Sequence, residues 1–247
     1  MKKGFTVAAL FFTLYSIFVI ALMPASWVIG QVKLPNNVAI TGVEGSIWQN
    51  HISQVMVDGV IIDNVQSSLS LLSVIIFNPK VDITFGDALI NGPEGQLALS
   101  GLLGDITVID AKVSLPANLI AGKLNLLIDI IAHDKINVNV PRFVLGAPIC
   151  SELNGDVHWN NAAITAFDEK VKLGKLSAKL SCEKGNLIAE VDPKNNLGLS
   201  YRAQIKQAGR FSGSGYLTPK EKFPKQLKVV LGFLGNPDKK GRYRLNI

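Results

Sequence analysis

From Val38 onward apolar and polar residues alternate along the chain. The stretch KVDITFG sets Val81, Ile83 and Phe85 against Asp82 and Thr84, and INVNV sets Ile136, Val138 and Val140 against two asparagines. KLSAKLSC does the same with Leu176, Ala178, Leu180 and Cys182 against Ser177, Lys179 and Ser181. NLGLSYRAQI alternates from Leu197 to Ile205, and GRYRLNI closes the chain with Tyr243, Leu245 and Ile247 on one side. A period of two over such lengths marks strands with one wet face. Turn residues break these runs at short intervals, as at Asn91-Gly92-Pro93, Gly104-Asp105, Lys184-Gly185-Asn186, Asp192-Pro193 and Asn236-Pro237-Asp238.

The pattern predicts about a dozen strands between Val38 and Ile247, with little helix. No linker divides them, so the expectation is one mainly β domain built on a single antiparallel sheet. Leu124–Ile131 is apolar at nearly every position and is expected to be central or covered. Pro116 to Gly122 has Pro early and Gly last, which suits one or two helical turns. Ser68 to Phe77 reads equally as a buried strand or a short helix.

The first 32 residues follow another pattern. No charge occurs from Gly4 to Val32, and Gly4–Met23 is a predominantly apolar run of 20 residues. As a helix it has the length of a bilayer's hydrocarbon layer, about 30 Å. Lys2 and Lys3 precede it, Pro24 ends the helical pattern, and Trp27 falls near the far interface. A cleaved signal peptide has a shorter run and a small-x-small site, and none stands out here. The expectation is an uncleaved single-pass anchor, residues 1–32, with its lysines cytoplasmic. Residues 33–247 then form an exported domain, periplasmic in a Gram-negative cell.

Charge adds little. Of the 25 basic and 19 acidic residues, only Lys2 and Lys3 belong to the anchor, which leaves the exported part +4. That is too mild and dispersed for a nucleic-acid protein. Lysine and arginine thicken toward the end, where Lys239, Lys240, Arg242 and Arg244 form either a solvated face or a contact for an acidic partner or anionic lipid. The two cysteines, Cys150 and Cys182, lie in the exported part. An even pair in an oxidising compartment reads as one structural disulfide.

Catalytic patterns are absent. Ser46, Ser212 and Ser214 lack the G-x-S-x-G elbow. His51, His133 and His158 are scattered, and with two distant cysteines they make a poor zinc set. No P-loop or calcium loop is present. An enzyme is not expected, nor a cofactor or metal. Instead a weak internal echo links VEGSIWQN, with Gly45 and Trp48, to LNGDVHWNN, with Gly155 and Trp159. It suggests repeated hairpins of one sheet, with Trp48 buried against that sheet.

These residues carry a family likeness. The basic start, the single apolar run and VKLPNNVAITGVEGSIWQN resemble the opening of type II secretion system protein N, also called general secretion pathway protein N. The likeness continues through DGVIIDNVQSSLSLLSVIIFNPKVDITFGD and GQLALSG to the second Gly…Trp element and GRYRLNI. It implies an inner-membrane accessory component of the machine that moves folded periplasmic proteins across the outer membrane. It also implies protein contacts with the inner-membrane platform and the outer-membrane secretin, and no catalytic residues. The family looks akin to groove-shaped, AsmA-like β proteins of the envelope, so the alternative is a lipid-binding or lipid-bridging role.

Overall fold

The computed structural model describes residues 2–246 except 88, 102, 103, 123–128, 167 and 207–209, with the backbone alone for 2–5. Among the described residues fourteen strands form one antiparallel sheet. In chain order they are β1 (Val38–Gly45), β2 (Gln49–Val57), β3 (Val60–Leu69), β4 (Val81–Phe85), β5 (Glu94–Ser100), β6 (Thr107–Pro116), β7 (Ile131–His133) and β8 (Lys135–Leu145). Then follow β9 (Cys150–Ala166), β10 (Glu169–Glu183), β11 (Asn186–Val191), β12 (Leu199–Ile205), β13 (Phe211–Leu217) and β14 (Tyr243–Asn246).

Spatial order follows chain order from β1 to β14. The one exception is β7, which pairs the end of β9 across Ile131↔Thr165, while β8 pairs the same edge of β9 lower down. The two are a single strand interrupted at Asp134, whose φ is +64°. The sheet does not close among the described residues: β1 pairs only β2 and β14 only β13.

Helix is scarce: α1 (Lys2–Ala21), α2 (Ala25–Gln31), α3 (Leu71–Ile75), α4 (Ala117–Ala121) and α5 (Lys228–Leu231). The α4 turn has Pro116 at its N-cap and Gly122 at its C-cap, as the sequence suggested. Residues 68–77 resolve as the last positions of β3 followed by α3. The described side chains of α1 are exposed, among them Leu10, Phe11, Phe12 and Phe18, yet no helix among the described residues is long and apolar enough to cross a membrane. The anchor inferred from the sequence begins at residues whose side chains lie outside that set. The apolar run Leu124–Ile131 also lies largely outside the described residues, and Ile247 does so entirely.

The meander gives the sheet two ends. At one end are the β1–β2 turn, α3, and the turns before β9 and β11. At the other are α4, the β9–β10 turn and the residues between β13 and β14. The core lies at the second end, where Ala117 of α4 meets Ala132, Ile136, Ala162, Ile164, Ala166, Val171 and Leu173. Trp159, Leu176, Leu197 and Leu227 pack around them. The remainder is thinly covered. The accessible surface is 16352 Å², against about 10,700 Å² for a globular monomer of this mass. An open sheet with no second layer over most of its span, together with the exposed side chains of α1, accounts for that excess.

Candidate interaction surface

In an antiparallel sheet, directly opposed residues share a face. One continuous rung of opposed residues crosses thirteen strands. It runs Glu44, His51, Gln66, Thr84, Gln96, Lys112, Asn139, Asp156, Lys179, Glu190, Arg202, Ser214 and Asn246. Every member is polar. The face is wet and tied together by its own bonds. Asn139 donates to Asp156, which also pairs His158 at 2.8 Å. Arg202 bridges three strands by pairing Glu183 of β10 and Glu190 of β11.

The opposite face is apolar along its rungs. Phe85, Gly95, Val113, Val138, Val157, Ala178 and Val191 are successive partners. Leu69, Val81, Leu99, Val108, Phe143 and Leu153 form a second such row. Leu187, Ile205 and Phe211 carry the face toward the last strands, and Leu199, Leu217 and Tyr243 complete it. Most of these side chains are half-buried, shielded chiefly by one another. Tyr201 lies across the glycines of β13 on this face: a Cβ on Gly213 would stand 2.3 Å from its Oη. Burial pushes the Tyr201 phenol above its usual pKa.

The two Gly…Trp elements occupy unlike places. Gly45 ends β1 with φ +89°, and a Cβ there would meet the Gln49 carbonyl at 2.5 Å, so the tight β1–β2 turn requires glycine. Trp48 stands in that turn, outside any strand and only half-buried. Its indole N–H donates to the Ile20 carbonyl of α1 at 3.2 Å. Beside it, Ile47 N–H donates to Met23 O at 3.0 Å, and Pro24 bridges Ser46. The expectation of Trp48 buried against the sheet is therefore corrected: it fastens α1 to the first hairpin. Trp159, by contrast, lies in mid-β9, packs on the core and donates to His133 O at 3.0 Å. Gly155 is buried two rungs away, where a Cβ would stand 2.9 Å from Asn139 O and from Val140. The echo is a resemblance of sequence between a turn and a strand.

Cys150 and Cys182 are bonded, S–S 2.08 Å, tying the start of β9 to the end of β10. The basic cluster is divided. Arg242 pairs Asp238 at 2.8 Å and lies 4.2 Å over the Tyr216 ring, while Asp238 also accepts the backbone N–H groups of Lys240 and Arg242. The hydrogen bond from Arg242 holds the Asp238 carboxyl below its usual pKa. Lys239 and Lys240 are exposed beside this loop. Arg244 points to the polar face opposite Tyr216. The loop joins β13 to β14 at the end of the sheet away from α1, which sets the cluster apart from any membrane that α1 enters.

Among the described residues the serines and histidines singled out from the sequence stand apart from one another. Ser46 Oγ accepts the N–H groups of Trp48 and Gln49 at 3.3 Å each. His51 stands between Glu44 and Gln66 on the polar rung. His133 meets the Thr165 hydroxyl at 2.7 Å beside the core. Among the described residues no cluster of His, Cys, Asp or Glu is fit to hold a metal. The sequence reading missed the unbroken polar rung and the Trp48–Ile20 bond, because both depend on register and on the approach of α1.

No solved structure matches this chain. Curated relatives do. The chain is 28% identical to type II secretion system protein N of Aeromonas hydrophila, covering 99% of this chain and 98% of the relative. It is 26% identical to the Vibrio cholerae serotype O1 protein of the same name, over 100% and 98%, and 24% identical to that of Klebsiella pneumoniae, over 98% and 94%. Residues 36–246 match the family model for type II secretion system (T2SS), protein N, and with that match over nearly all of the sheet the chain belongs to the type II secretion system protein N family.

Proposed function

We propose that this protein is an accessory component of type II secretion held in the inner membrane by residues 1–32, with residues 33–247 in the periplasm. There it supports export of folded proteins through contacts with other secretion components, the inner-membrane platform and the outer-membrane secretin among them. The observation that carries this reading is the open amphipathic sheet fastened to an apolar helix. Its edges, β1 and β14, each pair on one side only among the described residues. An unpaired edge is a template for strand addition by a partner. The protein is read as non-catalytic, a presenter of surface. Photo-crosslinkers placed along β1 and β14 in cells test this. Capture of other secretion components, with reduced export of a reporter exoprotein on deletion, supports it. Unchanged secretion with no captured partner refutes it.

A second reading has its own observation, the apolar rungs that run across the sheet with little cover. Such a face suits acyl chains, as in a lipid-binding or lipid-bridging protein of the envelope. Native mass spectrometry of the protein released from detergent distinguishes the two: retained phospholipid favours this reading, and a lipid-free spectrum removes it.

A further inference from the structure

The segment after β3 inverts the usual pattern of a surface loop. Residues 71–77, LLSVIIF, hold six large apolar side chains and all six are exposed: Leu72 is 74% accessible, Ile75 70%, Ile76 69% and Phe77 83%. The single polar residue is turned inward. Ser73 is buried, its hydroxyl donating to Ser70 O at 2.6 Å and accepting the Lys80 N–H at 2.8 Å. Four backbone donors are met locally: Val74, Ile76, Phe77 and Asn78 donate to Ser70, Leu72, Val74 and Ser73. A segment that turns its one hydroxyl inward, bonds its last turn to itself and shows water only apolar side chains is suited to the boundary of an apolar medium.

Its position matches. Leu69 N–H donates to Trp48 O at 2.9 Å, and the Trp48 indole donates to Ile20 O. One residue thus separates the last turn of α1 from the strand that launches α3. Lys80 follows the segment and pairs Asp82 at 3.2 Å, a charge placed where head groups would lie. At the other end the exposed apolar residues are fewer: Leu89 and Ile90 form one pair, and Val229 and Phe233 stand apart on a segment whose Val230, Leu231 and Leu234 are half-buried.

We propose that residues 71–77 are a second membrane contact, dipping into the same bilayer leaflet that α1 leaves and seating this end of the sheet on the lipid surface. The occupant of the patch is the acyl layer of the membrane. The proposal rests on reading residues 1–32 as an anchor.

The test uses the full chain in vesicles of phosphatidylcholine and phosphatidylglycerol with brominated acyl chains, which quench tryptophan on contact. In a Trp27→Phe background, whose own emission from Trp48 and Trp159 is subtracted, Phe77→Trp and Ile75→Trp are compared with Leu89→Trp at the other end. The expected result is that the tryptophans at 77 and 75 lose most of their emission and the one at 89 loses none. If those at 77 and 75 stay bright while Trp27 of the parent is quenched, the second contact is refuted and the anchor stands. If they stay bright yet are shielded from aqueous acrylamide, a protein surface covers the patch and the proposal fails. If Trp27 itself is unquenched, the anchor reading fails and this proposal with it.

Discussion

The indole of Trp48 donates to the carbonyl of Ile20 across 28 positions of sequence, joining the first turn of the sheet to the last turn of α1. The last four carbonyls of a helix lack intrahelical partners. One of them is met here by a side chain of the sheet, and the Met23 carbonyl just beyond is met by Ile47 N–H. The sheet therefore leaves α1 along a defined path.

Trp48→Phe keeps the ring and removes the donor. Its expected cost is about 1 kcal/mol at this junction. Amide exchange at Ile47 should quicken, while exchange around Trp159 on the core should not change.

The Cys150–Cys182 bond closes a loop of sequence separation 32. Replacing both with serine is expected to lower stability by about 3–4 kcal/mol on the loop-entropy account. Denaturant midpoints of the oxidised parent and the double variant measure it.

Gly213 and Gly215 lie beneath Tyr201, and a Cβ on Gly213 would clash with the phenol oxygen. Gly213→Ala must push the ring off the apolar face, at an expected cost of about 1–3 kcal/mol. Thermal unfolding reads the loss. Combining it with Tyr201→Ala should return part of it, because the two changes share one contact.

Asp238 is held below the ordinary carboxylate pKa, first by the side-chain bond from Arg242. A depressed folded-state pKa contributes stability above the unfolded value, 3.8, that is lost as pH falls through the lower folded value. The 238–242 loop should thus stay closed at neutral pH and open only below pH 3.8. Because the pair lies at the surface and is screened by solvent, global stability should hardly respond. Asp238→Asn should speed amide exchange at Lys240 and Arg242 at neutral pH and leave the unfolding midpoint in place.

Much of this fold was legible beforehand, and for a local reason. Alternation marked Val81–Phe85, Leu176–Cys182 and Leu197–Ile205; the first two are strand throughout, and the third is strand from Leu199 on. Pro116 and Gly122 bracketed α4 because proline and glycine act through their own backbone dihedrals. The run from Ser68 to Phe77 was not decided, since a short apolar segment fits strand and helix alike. Its exposure was the reverse of what composition suggests, because burial depends on what lies opposite. Trp48 was misplaced for a similar reason. Its expected burial against the sheet presumed a strand, whereas the positive φ of Gly45 had already turned the chain.

By itself the sequence determined the class of fold, a count of about a dozen strands where the sheet has fourteen, the two-sided character of those that alternate strictly, and the family. These follow from periodicity and turn chemistry, which act over a few residues. Only the tertiary structure decided that thirteen polar positions from Glu44 to Asn246 fall on one rung, that Arg242 is taken by Asp238, and that Trp48 meets Ile20. Those depend on register and on the approach of distant segments, and a shift of a single residue in any strand would have moved its polar side chains to the other face.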